Sequence, residues 1–152
     1  MKYVSILILI LILILIFLQS AISNASELSN TNKSYIGVSL FTPGAMNVVA
    51  GKALESTTIK VTYGHLSTAT HGIEIGATVL RQPTKELRSV QIIAGTSSTN
   101  SVLTNSILKW TYVGVSTTIQ NGSFFVEPGL TVGSGDFSSP QFSLQVGLKF
   151  DL

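Results

Sequence analysis

Hydrophobic and polar residues alternate without error along the C-terminal stretch of the chain. Its apolar positions are Phe142, Leu144, Val146, Leu148, Phe150 and Leu152. The positions between them are Ser143, Gln145, Gly147, Lys149 and Asp151. Because successive side chains of a β-strand point to opposite faces, this pattern predicts a long strand with one apolar and one polar face.

A hairpin in the first half of the chain shows the same division into two faces. A loop centred on Thr68 sets Tyr63 opposite Ile73 on an apolar face. Lys60 and Glu74 then lie diagonally across the other face, which is otherwise glycine and threonine. The pattern predicts two strands whose polar face holds isolated charges.

The pair Asn121-Gly122 predicts another hairpin, because it is strongly favoured in two-residue turns. Its register sets Thr118 opposite Phe125 and Ser116 opposite Glu127 on one face. The other face of this hairpin is almost wholly apolar. We therefore expect Ser116 and Glu127 to be neighbours on a polar face.

Similar segments along the chain give an even number of strands, with no apolar run at helical spacing. The eight predicted strands are 34–42, 45–53, 57–66, 70–82, 86–97, 106–119, 123–134 and 140–152. The connections near 82–85 and 121–122 are short, whereas 97–106 and 133–140 are longer and rich in Ser, Gly and Asn. This asymmetry is typical of outer-membrane barrels whose termini both lie in the periplasm.

The polar face decides between two all-β folds. A secreted soluble β-sandwich has the same alternation but carries more charges on its water-facing side. Here the polar face is mostly Gly, Ser and Thr, which suits the crowded interior of a narrow barrel. In a bilayer every backbone group must also be paired, as a closed sheet allows. We predict an eight-stranded antiparallel up-and-down transmembrane β-barrel and keep the sandwich as the alternative.

The N-terminal residues have the pattern of a signal peptide. Lys2 precedes thirteen consecutive Ile, Leu and Phe residues at 6–18, and small residues follow at Ala21, Ser23 and Ala25. The apolar run falls short of the ~20 residues of a spanning helix, which disfavours the alternative of an uncleaved anchor. We predict a signal peptide at 1–25, a short periplasmic segment at 26–33 and the barrel at 34–152.

Charge and cysteine content exclude several classes of function. Without Lys2, eight of the nine Lys and Arg residues remain against seven Asp and Glu, and they are spread singly. The chain therefore offers no basic patch for nucleic acid. It has no cysteine, which excludes disulfides, thiolate metal sites and a lipid-modified N-terminal cysteine.

The closing segment 141–152 and the segment 124–133 carry a resemblance to a known family. In pattern, residues 34–152 resemble the small eight-stranded outer-membrane barrels of the outer-membrane protein A and X type. That resemblance implies location in a bacterial outer membrane, contact with outer-membrane lipid and lipopolysaccharide, a monomer, and recognition of the last strand by the barrel-assembly machinery. The last residue of the family is usually aromatic, so Leu152 departs from it, while Phe150 keeps an aromatic in the alternation. A shared fold carries no activity with it.

Charged residues inside such a barrel need partners. Lys60 with Glu74, and Lys149 with Glu127 beside Ser116, are the pairs that the predicted faces suggest. We interpret these five residues as a structural polar network of the lumen.

The remaining candidate residues lie near one end of the predicted strands. His65 and His71 face each other there, but two imidazoles without a third ligand make a weak metal site. Ser67 is nearby, yet no serine, histidine and carboxylate fall in the arrangement of a triad. Tyr112 and Trp110 point inward, unless a bulge turns Trp110 outward. We predict no catalytic residue, metal or cofactor.

Three functions stay open from the sequence. A structural or surface-interaction barrel needs only the fold. A narrow pore needs an open lumen, and a lipid-modifying envelope enzyme needs reactive residues at the histidine pair.

Overall fold

The computed structural model describes residues 33–54, 57–81, 87–101 and 106–152. The predicted signal peptide at 1–25 lies outside the described residues, as does the segment 26–33 except for its last residue. Within the described ranges, no helix has the length and hydrophobicity needed to cross a membrane.

Eight antiparallel strands form one closed sheet, in which each strand pairs with its sequence neighbours and the last pairs with the first. They are β1 (Ser34–Phe41), β2 (Ala45–Ala53), β3 (Thr58–Ser67), β4 (Thr70–Arg81), β5 (Leu87–Ser101), β6 (Ser106–Asn121), β7 (Phe124–Gly135) and β8 (Gln141–Asp151). The predicted up-and-down barrel is confirmed. The sandwich alternative is wrong, because a single sheet that closes on itself has no second layer to pack against.

Strand β8 closes the barrel between β7 and β1. Val146 pairs with Val126 of β7, and Leu148 pairs with Val38 of β1. The apolar residues of β8 lie on the outward face, while Ser143 and its polar neighbours point inward. Leu152 follows the strand and donates its backbone N–H to Ser34 O at 2.9 Å.

The two hairpins whose register the sequence predicts differ in outcome. In β3–β4, Tyr63 pairs with Ile73 as expected. In β6–β7, Ser116 pairs with Gly129, two residues beyond the expected partner. The turn residues are Gly122 and Ser123, and φ of Gly122 is +57°, which fits a type II′ turn with glycine first. A shift of two residues preserves the parity of a strand, so every side chain keeps its predicted face.

The β5–β6 hairpin is longer than predicted. Strand β5 has 15 residues and β6 has 16, whereas β1 has 8 and β2 has 9. Most of the predicted loop at 97–106 is therefore strand, since Ser98 pairs with Lys109 and Ser101 with Ser106. The serine, threonine and asparagine residues of this segment are typical of loops, but its backbone groups form hydrogen bonds across the two strands.

Two ends of the barrel can be distinguished by its connections. At the terminal end lie the first residue of β1, the last residue of β8 and the connections β2–β3, β4–β5 and β6–β7. The far end carries the connections β1–β2, β3–β4, β5–β6 and β7–β8. The longer β5–β6 hairpin therefore projects at the far end.

Burial is inverted relative to a water-soluble protein. Among the described residues, 15 polar or charged residues are buried but only six hydrophobic ones. Conversely, 24 large hydrophobic residues are exposed, nearly all of them on the outward face. The hydrophobic residues that are buried are Val49, Ala53, Ile93, Trp110, Tyr112 and Phe125.

Candidate functional site

One lysine and two glutamates occupy the middle of the barrel interior. The Lys60 ammonium lies 2.6 Å from Glu127 Oε1 and 3.3 Å from Glu74 Oε1. The three side chains are at most 3 % exposed. Charges at this depth persist only with close partners, so the three groups hold one another in place.

Neutral donors complete the surroundings of Glu127. Ser116 Oγ donates to Oε1 at 2.8 Å, and Thr118 Oγ1 donates to Oε2 at 3.1 Å. Gln91 Nε2 in turn donates to Thr118 Oγ1 at 2.6 Å, which leaves the threonine hydroxyl proton for the glutamate. Every partner of this carboxylate is thus a donor, as an ionised acid requires.

Glu74 has a matching set of donors from other strands of the barrel. Tyr112 Oη donates to Oε2 at 2.8 Å, and Gln145 Nε2 donates to Oε1 at 2.7 Å. Together with the ammonium of Lys60, these groups give Glu74 three donors. The network therefore contains two fully coordinated carboxylates and one cation, all supplied by the barrel itself.

The structure reproduces some of the contacts that the sequence analysis predicted for the lumen. Lys60 contacts Glu74, as the sequence suggested, and its ammonium also lies beside Glu127, the carboxylate that the sequence analysis assigned to Lys149. The Lys149 ammonium lies 4.8 Å from the centre of the Tyr35 ring, within cation–π range. Ser116 contacts Glu127 despite the register shift, because its face is preserved.

Several members of this network were missed by the sequence analysis. Tyr112 was predicted only to point inward, and no polar contact was predicted for Gln91, Thr118 or Gln145. Their positions on the inward parity of β5, β6 and β8 were the available signal. Gln91 and Thr118 are neighbours on paired strands, whereas the contacts of Tyr112 and Gln145 with Glu74 depend on barrel curvature, which the strand pattern does not contain.

Large side chains fill the lumen towards the terminal end. The Tyr35 ring lies against Gly51, where any Cβ would collide with it. Arg81 Nη2 donates to Thr58 Oγ1 at 2.9 Å nearby. The lumen between the charged centre and the terminal end is thus also occupied.

The β1–β2 turn folds inward and occupies the far end of the lumen. Pro43 and Gly44 are buried, and a Cβ on Gly64 would collide with the Gly44 backbone. Asn47 fixes this turn: its Oδ1 accepts from Gly44 N at 3.0 Å, and its Nδ2 donates to Thr42 O at 3.2 Å. The turn acts as a plug beside the charged centre.

An aromatic cluster covers another part of the far end. Ile93, Trp110 and Tyr112 are buried together, and Phe137 of the β7–β8 connection packs edge-on against Trp110 with ring centres 6.3 Å apart. Trp110 is 5 % exposed, so it points inward and the alternative of an outward Trp110 is wrong. Its side chain therefore occupies part of the lumen at this end.

The histidine pair lies at the far end on the outward side of β3 and β4. His65 and His71 are directly opposite each other and exposed. Ser67 Oγ accepts a hydrogen bond from Thr70 N at 3.0 Å, as a turn-forming serine does. In the described part of the chain, no group of three or more His, Cys, Asp or Glu residues is placed to hold a metal ion.

Comparison with known proteins gives no relative. No protein-family model, curated protein or solved structure matches the chain. The resemblance to outer-membrane proteins A and X thus stays a prediction from the sequence pattern, and the eight-stranded barrel is consistent with it.

Proposed function

We propose that the mature chain is a bilayer-spanning barrel of the bacterial outer membrane, with a structural or surface-interaction role and no catalysis. The observation that carries this proposal is the inverted burial. Half-exposed side chains in this number put on the order of 2,000 Å² of apolar surface on the outward face of one sheet, whereas soluble monomers rarely expose contiguous apolar patches larger than a few hundred Å². A hydrocarbon environment removes that discrepancy.

Charge placement on the outward face supports the same environment. Among the strand residues whose side chains the structure describes, the charged residues of this face are Lys52 near the terminal end and Lys109 near the far end. Between those margins the exposed residues are apolar or uncharged. Charged side chains in the hydrocarbon layer are energetically costly. An outward band without charges, with lysines at its two margins, therefore fits a bilayer.

Aromatic residues mark both margins of this band. Tyr63 and Phe142 lie on the outward face towards the far end, and Phe124 and Phe150 lie towards the terminal end. Eight residue steps separate Phe142 from Phe150, which corresponds to about 20 Å of height for a tilted strand. Aromatic side chains favour the membrane interface, so the band has the height and edges expected for an outer-membrane barrel.

The interior favours a structural role over the other two functions. A pore needs a continuous aqueous path, but the charged centre occupies the middle of the lumen, and the β1–β2 turn and the Trp110 cluster occupy its far end. An envelope hydrolase needs a nucleophile with a base and an orienting group. Ser67 is engaged in its own turn instead.

Orientation and partners follow from the two ends. With both termini in the periplasm, the far end and its projecting β5–β6 hairpin face the outside, in the leaflet that contains lipopolysaccharide. Strand β8, together with Leu152 directly after it, is the segment that the barrel-assembly machinery would recognise. The signal peptide at 1–25 would direct export.

The decisive experiment is cell fractionation followed by electrophoresis with and without boiling. We expect the protein in the outer-membrane fraction, with a compact mobility that changes only on boiling because the barrel survives detergent. Recovery in the soluble periplasm or medium, with no change of mobility on boiling, would reject the proposal.

A further inference from the structure

The two histidines of the chain form a close pair at the far end. His65 of β3 and His71 of β4 are register partners, and both side chains are exposed. The chain contains only these two histidines. Their proximity is therefore fixed by the fold, and any imidazole chemistry of the protein is confined to this spot.

The ring separation is compatible with one shared metal ion. The ring centres of His65 and His71 are 6.5 Å apart. A metal–nitrogen bond of about 2.0–2.1 Å places an imidazole centre about 3.2 Å from the ion, so two rings on one ion are at most about 6.4 Å apart. Small rotations of the two exposed side chains bring the ring centres within this distance.

Neighbouring groups restrict the orientation of the pair. The Tyr63 ring is stacked on His65 with centres 6.4 Å apart and planes 8° apart. The Ser67 Oγ to Thr70 N hydrogen bond closes the hairpin just beyond the histidines. A preorganised pair loses less conformational entropy when a ligand orders it.

We propose that His65 and His71 form a surface site for a divalent transition-metal ion. Imidazole nitrogen suits Cu²⁺, Ni²⁺ and Zn²⁺, and Cu²⁺ binds such ligands most strongly of the three. Water fills the remaining coordination positions, because no third side-chain ligand stands beside the pair in the described residues. Such a site binds reversibly at the rim, and it needs neither the bilayer nor an open lumen.

Copper electron paramagnetic resonance tests the site directly on the folded full-length mature protein in detergent. We expect one bound Cu²⁺ whose spectrum shows coupling to two imidazole nitrogens. His65→Asn and His71→Asn should each lower the affinity for Cu²⁺ by about tenfold or more and leave at most one imidazole nitrogen coupled. Thr68→Ala, in the exposed turn of the same hairpin, is the matched control and should leave both the affinity and the spectrum unchanged.

The histidine-free variant with both substitutions separates this site from other copper ligands, the amino terminus in particular. Its residual binding is the background to be subtracted, and heat-dependent gel mobility checks that each variant is folded. A wild-type spectrum with fewer than two imidazole nitrogens, or equal affinity in the wild type and the histidine-free variant, would overturn the proposal.

Discussion

The Lys60 ammonium reaches Glu127 Oε1 at 2.6 Å although the two residues are 67 positions apart in sequence. They stand on β3 and β7, which are diametrically opposed in an eight-stranded barrel. Gln145 on β8 and Glu74 on β4 are opposed in the same way and are joined at 2.7 Å. Two polar contacts therefore span the full width of the lumen and link opposite strands of the barrel.

Removal of the shared cation should destabilise the barrel strongly. Lys60→Met leaves two buried carboxylates without a counter-charge, and breaking such a pair costs about 3–5 kcal/mol. We expect this fall in the free energy of unfolding, measured by urea titration in detergent micelles. The fluorescence of Trp110, the only tryptophan, reports unfolding.

Two further variants test the cause of that loss. Lys52→Met removes an exposed lysine at the margin of the barrel and should change the free energy by less than about 0.5 kcal/mol. Glu127→Gln in the Lys60→Met background should recover part of the loss, because one unpaired carboxylate is then neutral. Equal effects of Lys52→Met and Lys60→Met would contradict the role of the buried pair.

The strands could be predicted from the sequence because a sheet has a period of two residues, and that period is visible in residues such as Val146 and Leu148. Faces were predictable for the same reason, even where the β6–β7 register was wrong by two residues. The misassigned turn has a local cause: Gly122 takes the first central position, which leaves Asn121 in the strand.

Contacts across the lumen could not be predicted in this way. The alternation of apolar and polar residues shows which residues of the β3–β4 hairpin share a face with Lys60, and Glu74 is one of them. Glu127 becomes a neighbour only after the sheet curves and closes. The inward turn at Pro43 is likewise hidden, because it depends on the space left by Gly64 and Gly72.

A charge in the middle of the outward face tests the bilayer proposal. Val61 lies between Ala50 and Ile75 on that face. Val61→Arg should lower the free energy of unfolding in lipid vesicles by about 2–4 kcal/mol, the cost of a cation near the midplane. The control is Thr68→Arg in the exposed β3–β4 turn, which should have little effect. If both variants are equally stable in vesicles, the outward face does not contact hydrocarbon.

The inward β1–β2 turn should depend on a single side chain. Asn47→Ala leaves the buried amide of Gly44 and the partly buried carbonyl of Thr42 without their partner, a loss of about 1–3 kcal/mol. We expect faster hydrogen exchange of the Gly44 amide, measured by mass spectrometry of the peptide that contains the turn. Asn121→Ala, at an exposed site, is the control. Unchanged exchange at Gly44 would show that Asn47 does not hold the plug.

The filled lumen predicts that the wild-type barrel does not conduct ions. Single-channel recording in planar bilayers should show no steady current, with a known porin in the same bilayer as the positive control. Gln145→Ala removes one of the two contacts across the lumen and should still leave the path blocked, because Lys60 and Glu127 span it at a similar level. A steady conductance in the wild type would support the pore function in place of the structural one.

The C-terminal residues should control assembly if the last strand is recognised as the family resemblance implies. Phe150 and Leu152 both lie on the apolar side of β8, but the family usually ends on an aromatic residue. Phe150→Ala should therefore lower the amount of heat-modifiable protein in the outer membrane, whereas Leu152→Phe should maintain or raise it. Lys149→Gln changes a neighbouring residue on the inward face of β8 and should affect assembly less than Phe150→Ala.

The purified Phe150→Ala variant should still fold in detergent, because the side chain is half-exposed and its loss leaves the strand pairing with Ile36 in place. A defect in cells without a defect in detergent assigns Phe150 to recognition, and equal defects in both would assign it to stability alone.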